Sequence, residues 1–282
     1  MKHKNFVAFI LSHGRADNVV TYNTLKKQGY TGKIIIVIDT DDNQQQKYID
    51  NFGKENIYIF DKNDIKQDKF DNLDNRKVIF FARNVCFDIA QKLGYRYFIQ
   101  LDDDYTGFYC GGNLKGKNIT QDIRINVDVA FDYMIDLLNL SPNFYSICML
   151  QGGDFFDRKR YYLNLHLHKK AMNSFVCDVN KRFDFIGRVN EDVNTVNHLS
   201  SLGKFLLSVS FLSLEQKQTQ ANKGGMTEQY LDNGTYVKSF YSIINNPSAI
   251  KIHTMGLVNA RIHHQVNRKN CWVQILGSEY AD

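Results

Sequence analysis

The chain has 282 residues, 43% of them hydrophobic, and a formal net charge of +5, so it can bury a sizeable core and is compatible with a polyanionic partner. No stretch approaches the roughly 20 apolar residues of a membrane span, and the apolar run near the amino terminus is shorter than a signal-peptide core. The five cysteines are scattered without a CxxC, which argues against a zinc cluster and fits reduced thiols in the cytosol. We therefore expect a cytoplasmic protein without a membrane partner.

The first hundred residues alternate between predicted strands and predicted helices. Strands are predicted at 5–11, 33–39, 56–61 and 95–101, and helices at 15–29, 41–53 and 75–94. This alternation is typical of a parallel sheet with helical crossovers, in which ligands bind beyond the carboxyl ends of the strands. With only two prolines and no Gly/Ser-rich or Pro-rich linker, we expect one continuous domain.

The second half of the chain is less regular. Helices are predicted at 119–140 and 191–203, and strands at 144–153, 204–214 and 249–253. In the first of these helices, one face is predicted to carry Ile125, Val129, Tyr133 and Leu137. The segment 216–234 is polar and contains glycine, which is typical of a long loop that carries function or is disordered.

Polar residues follow three of the predicted parallel strands: SHGR, DTDD, and the triplet Asp102, Asp103 and Asp104. We expect them on one edge of the sheet. No GxGxxG or Walker-type loop is present, so carboxylates and single basic residues are the groups available there. A DxD unit at a strand end suits Mg²⁺ or Mn²⁺, which bind hard oxygen ligands and take further ligands from phosphate and water. The alternative reading of the triplet is an acidic surface turn.

A second pair of acids, Glu191 and Asp192, opens the helix predicted at 191–203. Acidic residues in a first helical turn ordinarily complement the helix dipole, which is worth about 0.3–1 kcal/mol. After a glycine-containing loop and a DxD strand, the same pair suits a transferase, because a carboxylate can deprotonate an acceptor hydroxyl as a general base.

The chain has an alternating β/α half, a DxD unit after a strand, an acidic pair at a helix start and a late histidine. In this order of features it resembles the nucleotide-sugar glycosyltransferases of the GT-A fold. More narrowly, SHGRADN, ARNVCFDIAQKLGYRYFIQLDDD and RIHHQVNRKNC resemble the TET-associated glycosyltransferases, which include phage enzymes and base J glucosyltransferases and which glycosylate hydroxymethylated pyrimidines in DNA. The resemblance spans Phe6 to about Leu276. It implies an α/β fold of GT-A type: a Rossmann-like mixed sheet flanked by helices, with a smaller acceptor-side subregion.

The resemblance also implies a division of labour within a single domain, 1–282. Residues 1–110 would form the nucleotide-sugar-binding half, and residues 111–282 the acceptor-binding and catalytic half. The donor would be a UDP-sugar, the cofactor Mn²⁺ or Mg²⁺, and the acceptor DNA that contains a hydroxymethylated pyrimidine. The location would be the host cytoplasm if the protein is encoded by a bacteriophage.

On the donor side, the resemblance implies that Ser12 and Arg15 hold the nucleotide and that Asp39 accepts a hydrogen bond from the uracil imide. Arg83 would pair with phosphate or ribose, with Arg76 as a competitor for that role. Asp102 would contact the sugar or ribose, with Asp103 beside it in the donor site.

For metal binding and catalysis, the resemblance implies Asp104 as a ligand and a late histidine as another, for which His263 is preferred over His253 and His264. Asp192 would be the general base, and Glu191 would orient it or contact the sugar.

Three other functions remain open at the level of sequence. A GT-A enzyme acting on a glycan, lipid or protein would show the same motifs. A nucleotidyltransferase would normally carry a glycine-rich basic loop after the first strand, whereas LSHGRADN has one glycine and one arginine. In a non-catalytic binding module, Asp192 and the late histidine would be dispensable. The sugar, the modified base, the anomeric outcome and the oligomeric state are not determined by the sequence.

Overall fold

The computed structural model of the chain describes residues 1–66, 79–114, 117–151, 171–216, 237–255, 261–267 and 270–271. Arg76 lies outside the described residues, as does the predicted loop at 216–234 apart from Gln216. The statements below concern the described part of the chain.

Nine strands form one mixed sheet, and two more form a separate hairpin. The sheet has the order β3-β2-β1-β4-β8-β7-β9-β5-β6. Its strands are β1 Phe6–Leu11, β2 Lys33–Asp39, β3 Ile57–Phe60, β4 Tyr97–Asp102, β5 Tyr105–Leu114, β6 Lys117–Arg124, β7 Phe144–Gln151, β8 Ser174–Asp178 and β9 Phe205–Gln216. The hairpin consists of β10 Ile250–Met255 and β11 Arg261–Val266.

The helices flank this sheet. They are α1 Val20–Lys27, α2 Gln45–Phe52, α3 Phe80–Lys92, α4 Val127–Leu138, α5 Glu191–Ser201 and a helix at 237–245, here called α6. The predicted alternation of strands and helices in the first hundred residues is confirmed, with boundaries shifted by a few residues.

The carboxyl ends of the first parallel strands meet at one edge of the sheet, as predicted. In β1, Leu11 pairs in register with Val37 of β2 on one side and with Asp102 of β4 on the other. The residues that follow these three strands therefore lie side by side. On the far side of β4, β8 runs antiparallel, which makes the sheet mixed.

Alternation of side chains along the strands divides the core into two layers. In β1, Phe6, Ala8 and Ile10 pack into the layer that contains α1, α2 and α4, whereas the intervening residues pack against α3 and α5. Because both faces of the sheet are covered, its central strands consist almost entirely of apolar residues. Each such side chain contributes about 1.5–3 kcal/mol when it is fully buried.

The helix predicted at 119–140 is wrong in its first part. Residues up to Arg124 form β6, which pairs antiparallel with β5. The helix begins only at Val127, after Asn126 accepts a hydrogen bond from the Asp128 backbone N–H at 3.0 Å and so caps it. The pairing with β5 and this cap together outweigh the apparent helical spacing.

The face predicted to carry Ile125, Val129, Tyr133 and Leu137 is not the face that packs on the sheet. Val129 is 69% exposed and Tyr133 43% exposed. The stripe that faces the sheet consists of Val127, Ala130, Phe131, Met134, Ile135 and Leu138. An apolar pattern counted from residue 125, before the helix begins, therefore does not identify the stripe that is buried.

Two further findings concern the helices and the cysteines. No described helix is long and apolar enough to cross a membrane. All five cysteines carry free thiols, and Cys110 is the only one of them that is not buried.

Candidate active site

Asp102 and Asp103, at the end of β4, differ in exposure and in their partners. Asp102 leaves 25% of its side chain exposed, whereas Asp103 leaves only 4%. Asp103 accepts a hydrogen bond from Ser12 Oγ at 2.6 Å and an ion-paired contact from Arg15 Nη1 at 2.9 Å. The structure therefore brings together three of the predicted donor-site residues, with Asp103 bound to the other two.

Asp39, at the end of β2, is also surrounded by partners. Its Oδ2 lies 2.9 Å from His13 Nδ1 and 3.1 Å from Lys62 Nζ, and its Oδ1 accepts the Asp41 backbone N–H at 2.9 Å. Burial disfavours the charged carboxylate, but the hydrogen bond from His13 and the charge of Lys62 outweigh burial and lower the pKa of Asp39. Sequence reasoning missed His13, although it lies inside the SHGR motif, and it had no signal for Lys62.

Arg83 of α3 joins the end of β4 to the start of α5. Its guanidinium is 1% exposed, and it lies 3.0 Å from Glu191 Oε1 through Nε and 3.3 Å from Asp102 Oδ1 through Nη2. Burial disfavours its charge, but the two carboxylates outweigh burial and raise the pKa of Arg83, which keeps it ionised. Arg83 was predicted to pair with phosphate or ribose. In the structure its partners are protein carboxylates.

Two aromatic rings lie beside this guanidinium. The rings of Phe175 and Phe185 lie 5.2 Å and 5.7 Å from Arg83 Cζ, at distances typical of cation–π contacts. Neither contact was visible in the sequence, because Phe175 lies on β8 and Phe185 in the loop before α5, both far along the chain from α3.

The loop that leads into α5, residues 185–190, is held by side chains of α3 and α5. Asn84 accepts the Phe185 N–H at 2.7 Å and donates to the Phe185 carbonyl at 3.1 Å, as a paired backbone strand would. Asn194 donates to the Val189 carbonyl at 3.0 Å. These bonds fix the position at which α5 begins and hence the position of its first two side chains.

Two residues of this loop have a left-handed backbone. Gly187 has φ of +92°, and a Cβ at this position would lie 2.3 Å from Asn194 Nδ2, so only glycine fits. Asn190 has φ of 56°, a conformation that asparagine adopts more readily than most residues. Its amide donates to the Lys238 carbonyl and to Ser242 Oγ of α6, which joins the two helices.

Glu191 and Asp192 lie in the first turn of α5, as predicted, and both are buried, with 8% and 9% exposure. Burial is the main cause that raises the pKa of Asp192 to about 6, and the negative charge of Glu191 adds to it. Burial also raises the pKa of Asp102 to about 7; Arg83 opposes this shift, and Asp104 and Glu191 add to it. The site therefore holds more negative charge than its buried arginine neutralises.

This charge balance and the chemistry of the donors fit a divalent cation. Asp102 and Asp104 offer hard oxygen ligands at a strand end, and Mg²⁺ or Mn²⁺ commonly binds through one or two protein carboxylates. Among the described residues, no three His, Cys, Asp or Glu side chains form a metal-binding group. In the β10–β11 hairpin, His263 Nδ1 donates to the His264 carbonyl at 2.8 Å, which leaves Nε2 with the lone pair that a metal requires.

A family model described as TET-Associated Glycosyltransferase matches residues 6–225. The chain belongs to this family. The resemblance drawn from the sequence motifs is thereby confirmed over residues 6–225, a range that does not include the motif RIHHQVNRKNC, and the expectation that the protein is a glycosyltransferase is confirmed as well. Together with the strand order β3-β2-β1-β4 and the flanking helices, the family match also confirms the predicted α/β fold of GT-A type.

Distant similarities to solved glycosyltransferases accompany the family match. Glucosyl-3-phosphoglycerate synthase from Mycobacterium tuberculosis, solved with Mn²⁺, UDP and phosphoglyceric acid, is 8% identical, with 93% of this chain and 86% of that chain covered and a TM-score of 0.46. A mannosyltransferase from Pyrobaculum calidifontis, solved with GDP-Man and Mn²⁺, is 8% identical, with 86% and 64% covered and a TM-score of 0.49. A comparison with curated protein sequences gives no significant match.

Proposed function

We propose that this TET-associated glycosyltransferase moves a sugar from a UDP-sugar to the hydroxymethyl group of a modified pyrimidine in DNA. The observation that carries the proposal is the bridge from Asp102 through Arg83 to Glu191. This bridge holds the end of β4, which suits a nucleotide sugar, next to Asp192. Asp192 is a buried carboxylate, and its pKa of about 6 suits a general base.

On the donor side, the edge formed by β1, β2 and β4 would bind the nucleotide. Arg15 and Ser12 are aligned by Asp103 and would hold the nucleotide near its phosphates, and Asp39 belongs to the pocket for the base. Asp102 would contact the sugar or ribose. The guanidinium of Arg83 already forms ion pairs with Asp102 and Glu191. We therefore propose that Arg83 positions these two carboxylates rather than binding phosphate.

Mn²⁺ or Mg²⁺ fits this site, as the excess of carboxylates indicates. Asp104 would hold the ion, with Asp102 beside it. The described structure does not bring His263, the further ligand predicted from the sequence, into a metal-binding group with these two aspartates. When bound, the ion supplies Lewis-acid stabilisation of the charge on the departing diphosphate.

On the acceptor side, Asp192 would take the proton of the hydroxymethyl oxygen while that oxygen bonds to the anomeric carbon. The bond between that carbon and the diphosphate breaks, and UDP leaves with the electron pair. Glu191 is held by Arg83, and its negative charge adds to the rise in the pKa of Asp192. A base within a duplex must be extruded to reach such a site, at a cost of a few kcal/mol.

The test is transfer to DNA. DNA containing 5-hydroxymethylcytosine or 5-hydroxymethyluracil, and unmodified DNA as a control, are incubated with a panel of UDP-sugars and Mn²⁺ and analysed by nucleoside mass spectrometry. We expect a hexose or pentose mass on the modified nucleoside and none on unmodified DNA, which offers no hydroxymethyl group. Transfer to a glycan, lipid or protein instead, under the same conditions, would overturn the DNA acceptor. Formation of a nucleotide-sugar would point to nucleotidyl transfer.

A further inference from the structure

The loop after β1 contributes to a side-chain cluster of which the mechanism above uses only Asp39. His13, Asp39, Asp42 and Lys62 come together from the ends of β1, β2 and β3. The side chains of Asp39, Asp42 and Lys62 are each at most 8% exposed, whereas that of His13 is 41% exposed. Within this cluster, the imidazole is therefore the group that a ligand at the sheet edge can reach.

The partners of His13 fix which ring nitrogen carries the proton. A carboxylate only accepts hydrogen bonds, so the 2.9 Å contact between Asp39 and Nδ1 places a proton on Nδ1. The hydrogen bond to Asp39 raises the pKa of His13, whereas burial and the nearby charge of Lys62 lower it. In the neutral ring, Nε2 then has a lone pair, and no partner of Nε2 is found in the described parts of the chain.

The backbone around His13 is held in place before any ligand binds. Gly14 N–H donates to Asp42 Oδ2 at 2.7 Å, Arg15 N–H to Tyr48 Oη at 2.9 Å, and Ala16 N–H to Gln44 Oε1 at 2.9 Å. Three successive N–H groups are thus bound by side chains that follow β2. A recognition group on such a loop loses little conformational freedom on binding.

We propose that His13 reads the nucleobase of the donor by accepting the uracil N3–H on Nε2, with Asp39 as the positioning residue that fixes the ring. The assignment rests on the proposed UDP-sugar donor and replaces direct recognition of the imide by Asp39. Three donors already occupy the Asp39 carboxylate, and its side chain is 8% exposed. Uracil offers a hydrogen at N3, whereas cytosine offers a lone pair that would face the lone pair of Nε2. The site should therefore prefer UDP over CDP.

Two substitutions of His13 separate its recognition of the nucleobase from its hydrogen bond to Asp39. In His13→Asn, the side-chain amide can replace Nδ1 as donor to Asp39, but nothing replaces Nε2. In His13→Gln, the amide can reach the position of Nε2 but leaves Asp39 without its partner. His3→Asn is the matched control, because His3 also pairs with an aspartate, Asp136, but precedes β1 at the opposite end of the strand.

The experiment is titration calorimetry at alkaline pH, which favours the neutral imidazole, with UDP, CDP and N3-methyl-UDP in the presence of Mn²⁺. We expect His13→Asn to weaken UDP binding by about tenfold, as for loss of one hydrogen bond, and to leave CDP binding nearly unchanged. N3-methyl-UDP should bind the unmodified protein about as weakly as UDP binds His13→Asn. His13→Gln should keep part of the preference, and His3→Asn all of it.

The outcomes distinguish this assignment from the function on which it rests. Suppose that the unmodified protein binds UDP, and that the preference for UDP over CDP is retained in His13→Asn but lost in His13→Gln. Asp39 then recognises the base, and the assignment to His13 fails while the UDP-sugar donor stands. Equal binding of UDP and N3-methyl-UDP by the unmodified protein also overturns it. If UDP does not bind the unmodified protein at all, the UDP-sugar donor and the assignment to His13 both fail.

Discussion

At the scale of single residues, burial decides the chemistry of the carboxylates beside Arg83. Asp102 and Asp192 have the same side chain as an exposed aspartate, but removal from water disfavours their charged forms and raises the pKa of each. Arg83 compensates part of this cost for Asp102 and Glu191. A site that keeps uncompensated buried charge is less stable than an apolar one, which is a common cost of function.

Asp192→Asn should lower turnover by about 10²–10⁴-fold, as loss of a general base does, and leave UDP binding nearly intact. The same substitution should stabilise the fold at pH 8. The pKa of Asp192 is about 6 in the folded state, above its unfolded value, so the folded state loses stability as pH rises from about 4 to 6. Asparagine removes that penalty, worth about 1–3 kcal/mol.

Thermal unfolding of both proteins at pH 8 and at pH 4.5 measures this effect. The melting temperature of Asp192→Asn should exceed that of the unmodified protein by several degrees at pH 8 and by little at pH 4.5. A loss of UDP affinity as large as the loss of turnover would instead make Asp192 a donor-site residue.

Glu191→Gln should move the pH profile of kcat/KM. Activity of the unmodified enzyme should fall as pH decreases through about 6, where Asp192 becomes protonated. The charge of Glu191 raises the pKa of Asp192, so its removal should shift this acidic limb to lower pH. Asp88→Asn, which removes an exposed carboxylate of α3, is the charge-matched control and should leave the limb in place. A limb that stays at the same pH in Glu191→Gln would show that the two carboxylates are not coupled.

At the scale of elements, the 185–190 loop determines where α5 begins. The N-cap Asn190 makes no capping bond to its own helix and binds α6 instead. The start of α5 is therefore specified by tertiary contacts, through Asn84, Asn194 and the left-handed Gly187, rather than by a local cap.

Gly187→Ala should disrupt this start, because the new Cβ would lie 2.3 Å from Asn194 Nδ2 in addition to the strain of φ at +92°. Gly94→Ala is the matched control: φ is +78°, but no atom lies within 4 Å of the new Cβ. Thermal unfolding and UDP-sugar turnover check both variants. Gly94→Ala should cost about 1–2 kcal/mol and keep turnover, whereas Gly187→Ala should lose more stability and most turnover. Equal effects in both variants would show that φ strain alone matters.

At the scale of the whole molecule, donor and metal should stabilise the fold together, since a ligand that binds only the folded state raises the melting temperature. UDP with Mn²⁺ should add about 2.7 kcal/mol at a hundredfold excess over Kd, and EDTA should remove the effect. Asp104→Asn should keep the fold and lose most of this gain. Asp50→Asn, an exposed carboxylate on α2, is the control and should keep it. If UDP stabilises the unmodified protein equally with and without EDTA, the metal role of Asp104 is refuted.

Much of the fold followed from local patterns. The apolar runs of β1, β2 and β4 and the glycines at 29, 53 and 94 predicted the alternating first half. The prediction of one helix over 119–140 was wrong because an edge strand and a helix adjoin there without a proline or glycine between them. Apolar spacing alone does not separate the two, since pairing with β5 comes from a distant part of the sheet.

The sequence by itself determined the family and the set of chemical groups: the Asp triplet after a buried strand, and an acidic pair opening a helix. These are local features, because they depend on strand ends and helix starts. Only the tertiary structure decided which group each one binds. It turned Asp103 inward to Arg15, gave Arg83 to Asp102 and Glu191, and placed Lys62 beside Asp39. Burial and pairing between distant elements set the charge and the exposure of each side chain, and neither property is encoded within a single segment.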